Sequence, residues 1–173
     1  MILHEEEIRR ESILNMAQEI AIAIRTAPKA RGTDNLSIAI VTDDTIKILA
    51  DKMRQIGTEQ NLDFFKRDAD NIMQSEAVIL IGTKISPLGL NCRYCGFETC
   101  SVKPHDVPCF FNANDLGIAI GSAASKAADL RLDNRVMFSA GNAAMQMNML
   151  PNCSVILAIP LTARGKSPFF DRK

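Results

Sequence analysis

The sequence predicts one α/β or α+β domain, a small central sheet with helices on its faces. Three observations carry this expectation. "LSIAIVT", "AVILIG" and "CSVILAIPL" are short apolar runs rich in β-branched residues and read as strands. Between them apolar residues recur at helical spacing. With 173 residues, 47% hydrophobic and 23% charged, the chain fits one globular domain with a hydrophobic core. The order of strands and helices is not a regular βαβ series, and there is no internal repeat or low-complexity linker.

The elements follow in chain order. Glu5 to Ala27 reads as a helix, because Ile13, Ala17, Ile20 and Ile24 form one buried stripe. Glu5, Glu6 and Glu7 suit its positive end, and Pro28 limits its continuation. "APKARGTDN" is a basic loop leading into a strand from Leu36 to Thr42. Asp43 is expected to cap a helix over Asp44 to Ile56, with Gly57 as its stop. Residues 61–75 read as another helix, and Ala77 to Gly82 as a buried strand. "NDLGIAIGSAASKAADL" is expected to be a helix begun by Asn114 or Asp115. Its Gly117, Gly121, Ser122, Ala123 and Ala124 imply close approach, first of all by core packing. "NRVMFSAGNAAMQMNML" reads as a helix ended by Pro151, and "LDNRVM" at its start as a turn in which Asp133 is expected to lie against Arg135. "CSVILAIPL" is the third strand.

Twenty basic residues balance twenty acidic ones, which argues against nucleic acid as the main partner. The N-terminus carries acids where a signal peptide carries bases, and no apolar run is long enough to span a bilayer. The expected compartment is the cytoplasm, with no membrane partner. No P-loop, "HExxH" or "GxSxG" motif is present.

The chemistry concentrates in "NCRYCGFETCSVKPHDVPCFF", residues 91–111, which holds four of the five cysteines. Cys92, Cys95, Cys100 and Cys109 are spaced C-x2-C-x4-C-x8-C. With Pro87, Pro104 and Pro108 around them and no clean period, they should lie on a loop inserted into the domain. Two disulfides would need an oxidising compartment. Zinc takes four thiolates, but its structural sites usually carry a second C-x2-C knuckle, which is missing here. An iron–sulfur cluster fits better, because it is wider than one ion and takes ligands from a loop wrapped around it. Gly96 would let backbone N–H groups near the cluster sulfurs. Tyr94, Phe97, Phe110 and Phe111 would shield it from water. Cys153 stands apart in an apolar run and reads as a buried, inert thiol.

The motif "CRYCGFETC...PC" resembles the cysteine motif of ferredoxin-like domains that bind 4Fe-4S clusters. "DLGIAIGSAASKAADLRLDNRVMFSAG" and "GKSPFFDRK" are similar to an uncharacterised family described as ferredoxin-domain proteins. That similarity runs from "IRTAPKARGTDNL" to the end. It implies Cys92, Cys95, Cys100 and Cys109 as ligands of an iron–sulfur cluster, 4Fe-4S in type, with zinc as the alternative metal.

A second resemblance is more distant. "AIRTAPKARGTDNLSIAIVTD" resembles the start of FMN-dependent nitroreductases, in which a helix ends in an "APSxxNxQPW" loop that lies against the flavin. It implies a nitroreductase-like α+β sandwich of three-layer α/β/α type over residues 1–173. It also implies an intertwined homodimer with FMN at the subunit interface. Ala27 and Pro28 match the motif, whereas Lys29 replaces its serine and the Gln-Pro-Trp is missing. The nitroreductase arginine pair has no counterpart, because Arg9 and Arg10 fall on the same helix as the loop's approach. Lys29, Arg31, Asn35, Arg164 and Lys166 are the flavin-binding candidates this implies, with Arg172 a further cation for the phosphate. The function implied by both resemblances together is a redox or electron-transfer protein, with flavin dependence implied by the second, and with a partner protein as the other electron carrier. The alternatives are a zinc-pinned protein acting through partner binding and a flavin oxidoreductase without a cluster.

Overall fold

The computed structural model describes residues 1–170. Arg172 therefore lies outside the described residues. Four antiparallel strands form one sheet in the order β1-β2-β4-β3, with β1 at Leu36–Val41, β2 at Ala77–Lys84, β3 at Asp133–Asn134 and β4 at Cys153–Thr162. Helices α1 (Glu5–Thr26) and α4 (Phe110–Asp129) cover one face. Helices α2 (Asp43–Glu59), α3 (Asp63–Ile72) and α5 (Phe138–Gln146) cover the other.

The central strand β2 shows why this is a three-layer structure. Ala77, Ile79 and Ile81 point to the α1/α4 side, and Val78 and Leu80 to the α2/α3/α5 side. All five are fully buried. An apolar run without alternation is what a strand covered on both faces requires.

The expected α1 stripe is the observed one: Ile13, Ala17, Ile20 and Ile24 are its buried residues. Several expectations are corrected. Gly57 does not stop α2. It lies inside the helix, where an added Cβ would sit 3.0 Å from the Leu62 carbonyl oxygen and 3.1 Å from Phe65 Cβ. The glycine lets α3 approach, and the chain turns at Asn61, which is left-handed at φ 55°. Thr42, rather than Asp43, is the N-cap residue of α2. Helix α4 starts at Phe110, four residues before the expected Asn114. Gly117 and Gly121 face outward, with nothing within 4 Å of an added Cβ, so core packing does not explain them. Asp133 is not held by Arg135. It accepts the Arg164 backbone N–H at 3.0 Å. Arg135 instead donates to the Phe169 carbonyl and stacks on Phe170 at 5.4 Å.

Two small residues fix the α2/α3/α5 layer. At Gly141 of α5 an added Cβ would lie 2.1 Å from the Ile156 carbonyl oxygen of β4, so only glycine permits this approach. At Gly82 it would lie 2.9 Å from Cys153 Sγ. Cys153 packs against the core there and plays no part in the cysteine loop.

Candidate functional site

Between β2 and α4 the chain runs through residues 85–109 without a helix or strand. Three left-handed residues, Asn91 (φ 47°), Arg93 (φ 65°) and Gly96 (φ 87°), curl it around Cys92 and Cys95. Gly96 N–H donates to the Arg93 carbonyl at 2.8 Å, closing a turn. At φ 87° the turn needs a residue without a Cβ, and glycine supplies it. Asn91 Oδ1 accepts the Cys100 N–H at 2.8 Å and draws the third cysteine toward the first two.

The result is one small cavity lined by all four cysteines, Cys92, Cys95, Cys100 and Cys109. All four are free thiols; Cys109 is buried and the other three half-buried. The free space is about 10 Å³, that of one water. Among the described residues no three His, Cys, Asp or Glu side chains are arranged to hold a single metal ion. The donor set nevertheless suits a cluster: four soft ligands share one cavity whose exposed wall is almost wholly apolar. Phe97 and Phe110 line it, and Tyr94, Phe110 and Phe111 pack ring on ring above it at 5.2 to 5.9 Å. Tyr94 is 66% exposed, so this cover is thin on its outer side.

Two features place positive charge beside the cavity. Cys109 is the N-cap residue of α4, with no side-chain cap on that end, so the positive pole of a 20-residue helix starts at the fourth thiol. Lys103 also lines the cavity and is only 5% exposed. Its Nζ donates to the Pro104 carbonyl at 2.9 Å and to the Val107 carbonyl.

The flavin candidates do not form one group within the chain. Lys29 Nζ donates to the Ile24, Arg25 and Ala27 carbonyls and closes the C-terminal end of α1. Arg31 donates to the Leu88 carbonyl at 2.8 Å. Asn35 lies beside them, its carbonyl accepting the Lys84 N–H. Arg164 is at the other end of β2, bonded to the Gln74 carbonyl and 3.8 Å from Glu76. The two groups are separated by the length of β2, about 23 Å for its eight residues. Lys166 is exposed two residues beyond Arg164.

What the structure does bring together is the 27–35 loop and the base of the cysteine loop. Arg31 holds Leu88, Asp115 Oδ2 of α4 accepts the Ala30 N–H at 3.1 Å, and Asn112 Oδ1 accepts the Ser86 N–H at 2.8 Å. Two buried amide nitrogens in this region, Asn35 Nδ2 and Asn112 Nδ2, have no hydrogen-bond partner among the described residues. Sequence reasoning missed Lys103, Asn112 and the buried role of Asp115. The one available signal was Lys103 itself, the only lysine between the third and fourth cysteines.

A family model described as "Uncharacterized protein containing a ferredoxin domain" matches residues 105–172. An uncharacterized protein of Archaeoglobus fulgidus is 38% identical over 185 aligned residues, covering 99% of this chain and 98% of that protein. The chain belongs to this ferredoxin-domain family. The part matched by the family model includes Cys109 and Lys166 but not Cys92, Cys95 or Cys100. The fold has a separate likeness. A Lactococcus lactis nitroreductase, CinD, solved with nicotinic acid, superposes with a TM-score of 0.62 at 16% identity, over 98% of this chain and 86% of that one. A Bacteroides fragilis nitroreductase with bound FMN gives 0.64 at 9% identity, over 92% and 81%. The ferredoxin-domain chain thus has a nitroreductase-like fold. No helix among the described residues is long and apolar enough to cross a membrane.

Proposed function

We propose that the protein is an electron-transfer protein whose Cys92, Cys95, Cys100 and Cys109 hold an iron–sulfur cluster of 4Fe-4S type. One observation carries this reading: four thiols from a single loop line one cavity against the positive end of α4. A bound cluster supplies one-electron exchange. The chain's own residues do the rest. The thiolates bind, Asn91 and the Arg93–Gly96 turn hold them on one loop, and the three rings limit access of water.

The second redox group in this proposal is FMN, at the side of α4 where the 27–35 loop is anchored. Asn35 and Asn112, with their unpaired amide N–H groups, are the residues that would donate to it. Lys29 and Arg31 would shape the loop, since their cations already serve backbone carbonyls. Arg164 and Lys166, at the far end of β2, would reach such a flavin only from a partner subunit. The proposal therefore includes a homodimer, supported by the outward-facing stripe Ala113, Gly117, Gly121 and Ser125 on α4. A partner protein is the alternative electron carrier.

Anaerobic purification from iron-replete cells, followed by iron, sulfide, zinc and flavin analysis, tests the reading. About four irons per chain are expected, lost together when Cys92 and Cys95 are changed to serine. Iron-free protein carrying stoichiometric zinc would replace this reading with a zinc-pinned loop.

A further inference from the structure

We propose that Lys103 is a positioning residue of the cluster site: its buried ammonium balances the negative charge of the thiolate-bound cluster and raises its reduction potential. The inference rests on the cluster reading above. Lysine is rarely buried without a charged partner. Lys103 is 5% exposed, yet its hydrogen bonds go to two carbonyls, Pro104 and Val107. No carboxylate among the described residues lies within 4 Å of its Nζ. It shares its cavity with the four cysteines, which are thiolates when they hold a cluster. Four thiolates around a cluster leave a net negative charge, and each electron accepted adds one more. A fixed cation in a partly dry cavity favours the reduced form more than the oxidised one. The α4 N-terminus acts in the same direction from the side of Cys109.

A purely structural lysine would give a different pattern. It would fasten the 104–107 turn through its two carbonyl bonds, and its loss would affect loop stability and cluster retention. It would leave the potential of any retained cluster unchanged.

The test is an anaerobic dithionite titration of the full chain with its cluster, read by absorption and electron paramagnetic resonance. Dithionite supplies the electron and is oxidised; the cluster gains one electron, and no bond to cysteine breaks. Wild type, Lys103→Met, Lys103→Gln and Lys103→Arg are compared. The neutral variants are expected to disfavour reduction by at least tenfold, a potential lower by about 59 mV for one electron. Lys103→Arg is expected to stay within threefold of wild type. Neutral variants that lose iron while Lys103→Arg keeps it would show the lysine fastening the 104–107 turn, and they overturn the inference. Neutral variants that keep the cluster at the wild-type potential overturn the inference, as does loss of iron in Lys103→Arg as well. Iron-free wild-type protein overturns the cluster reading and this inference together. An iron-loaded wild type with unshifted variants overturns this inference alone.

Discussion

Asp115→Ala is expected to destabilise the protein and loosen the junction between the 27–35 loop and α4. Asp115 is 4% exposed, and its Oδ2 accepts the Ala30 N–H at 3.1 Å across 85 residues of sequence. A hydrogen bond to a charged group contributes about 1.5–3 kcal/mol. Ala30 is only half-buried, so water can partly replace the lost acceptor, and the low end of that range applies. The expected cost is about 2 kcal/mol, which for a domain of this size lowers Tm by about 4–8 °C. Asp115→Asn keeps a carbonyl acceptor and should cost less than half as much. Urea unfolding of both variants measures the difference, and amide exchange at Ala30 localises it. Equal costs for the two variants, with Ala30 exchange unchanged, would refute the assignment of this bond as the tie between loop and helix.

Other outcomes follow from the same geometry. Gly141→Ala puts a methyl group against the Ile156 carbonyl, and overpacking of this kind should cost about 3 kcal/mol, read as a lower urea midpoint with unchanged slope. Asp34 has opposing influences: burial raises its pKa, but the Arg25 and Leu36 hydrogen bonds outweigh this and hold it below the usual carboxylate value. A lowered folded-state pKa stabilises above the unfolded value, near pH 4, and that contribution is lost as the pH falls further. Acid unfolding of Asp34→Asn should therefore have a shallower dependence between about pH 4 and 2 than wild type; identical curves would remove Asp34 from the account. Under the cluster reading the four cysteines fasten residues 85–109, which hold no helix or strand of their own. Iron chelation should consequently change the rate of proteolysis within residues 85–109 and leave the helical core resistant, as mass spectrometry of the fragments would show. Gly117→Leu with Gly121→Leu should turn a dimer into a monomer by sedimentation, whereas a monomeric wild type would contradict the proposed pairing through α4.

Most of the fold could be read from local pattern. The i, i+4, i+7, i+11 stripe of α1 and the continuous apolar run of β2 each carry their own burial in the sequence. The start of α4 could not. Cys109 caps it through backbone geometry alone, without a side-chain bond, while Asp115 looks like a cap and is used for a distant amide. Gly57 and Asn61 show the same difficulty. Glycine looks like the stop, yet it is the close approach of α3 that needs glycine, and the left-handed turn falls to Asn61. At the site, the grouping of the four cysteines in one cavity was legible because all four fall within one loop of the sequence. The burial of Lys103 was not, since it arises only when the 104–107 turn folds over it. The separation of Arg164 from Arg31 was equally hidden, because strand pairing decides which end of the sheet each residue reaches.

The most direct measurement is the metal and sulfide content of anaerobically purified full-length protein, taken with its visible absorption. The account predicts a brown protein with about four irons and four sulfides per chain, bleached by dithionite and lost when Cys92, Cys95, Cys100 or Cys109 is replaced. A colourless, iron-free protein prepared in the same way, or iron retained in all four cysteine variants, would contradict it.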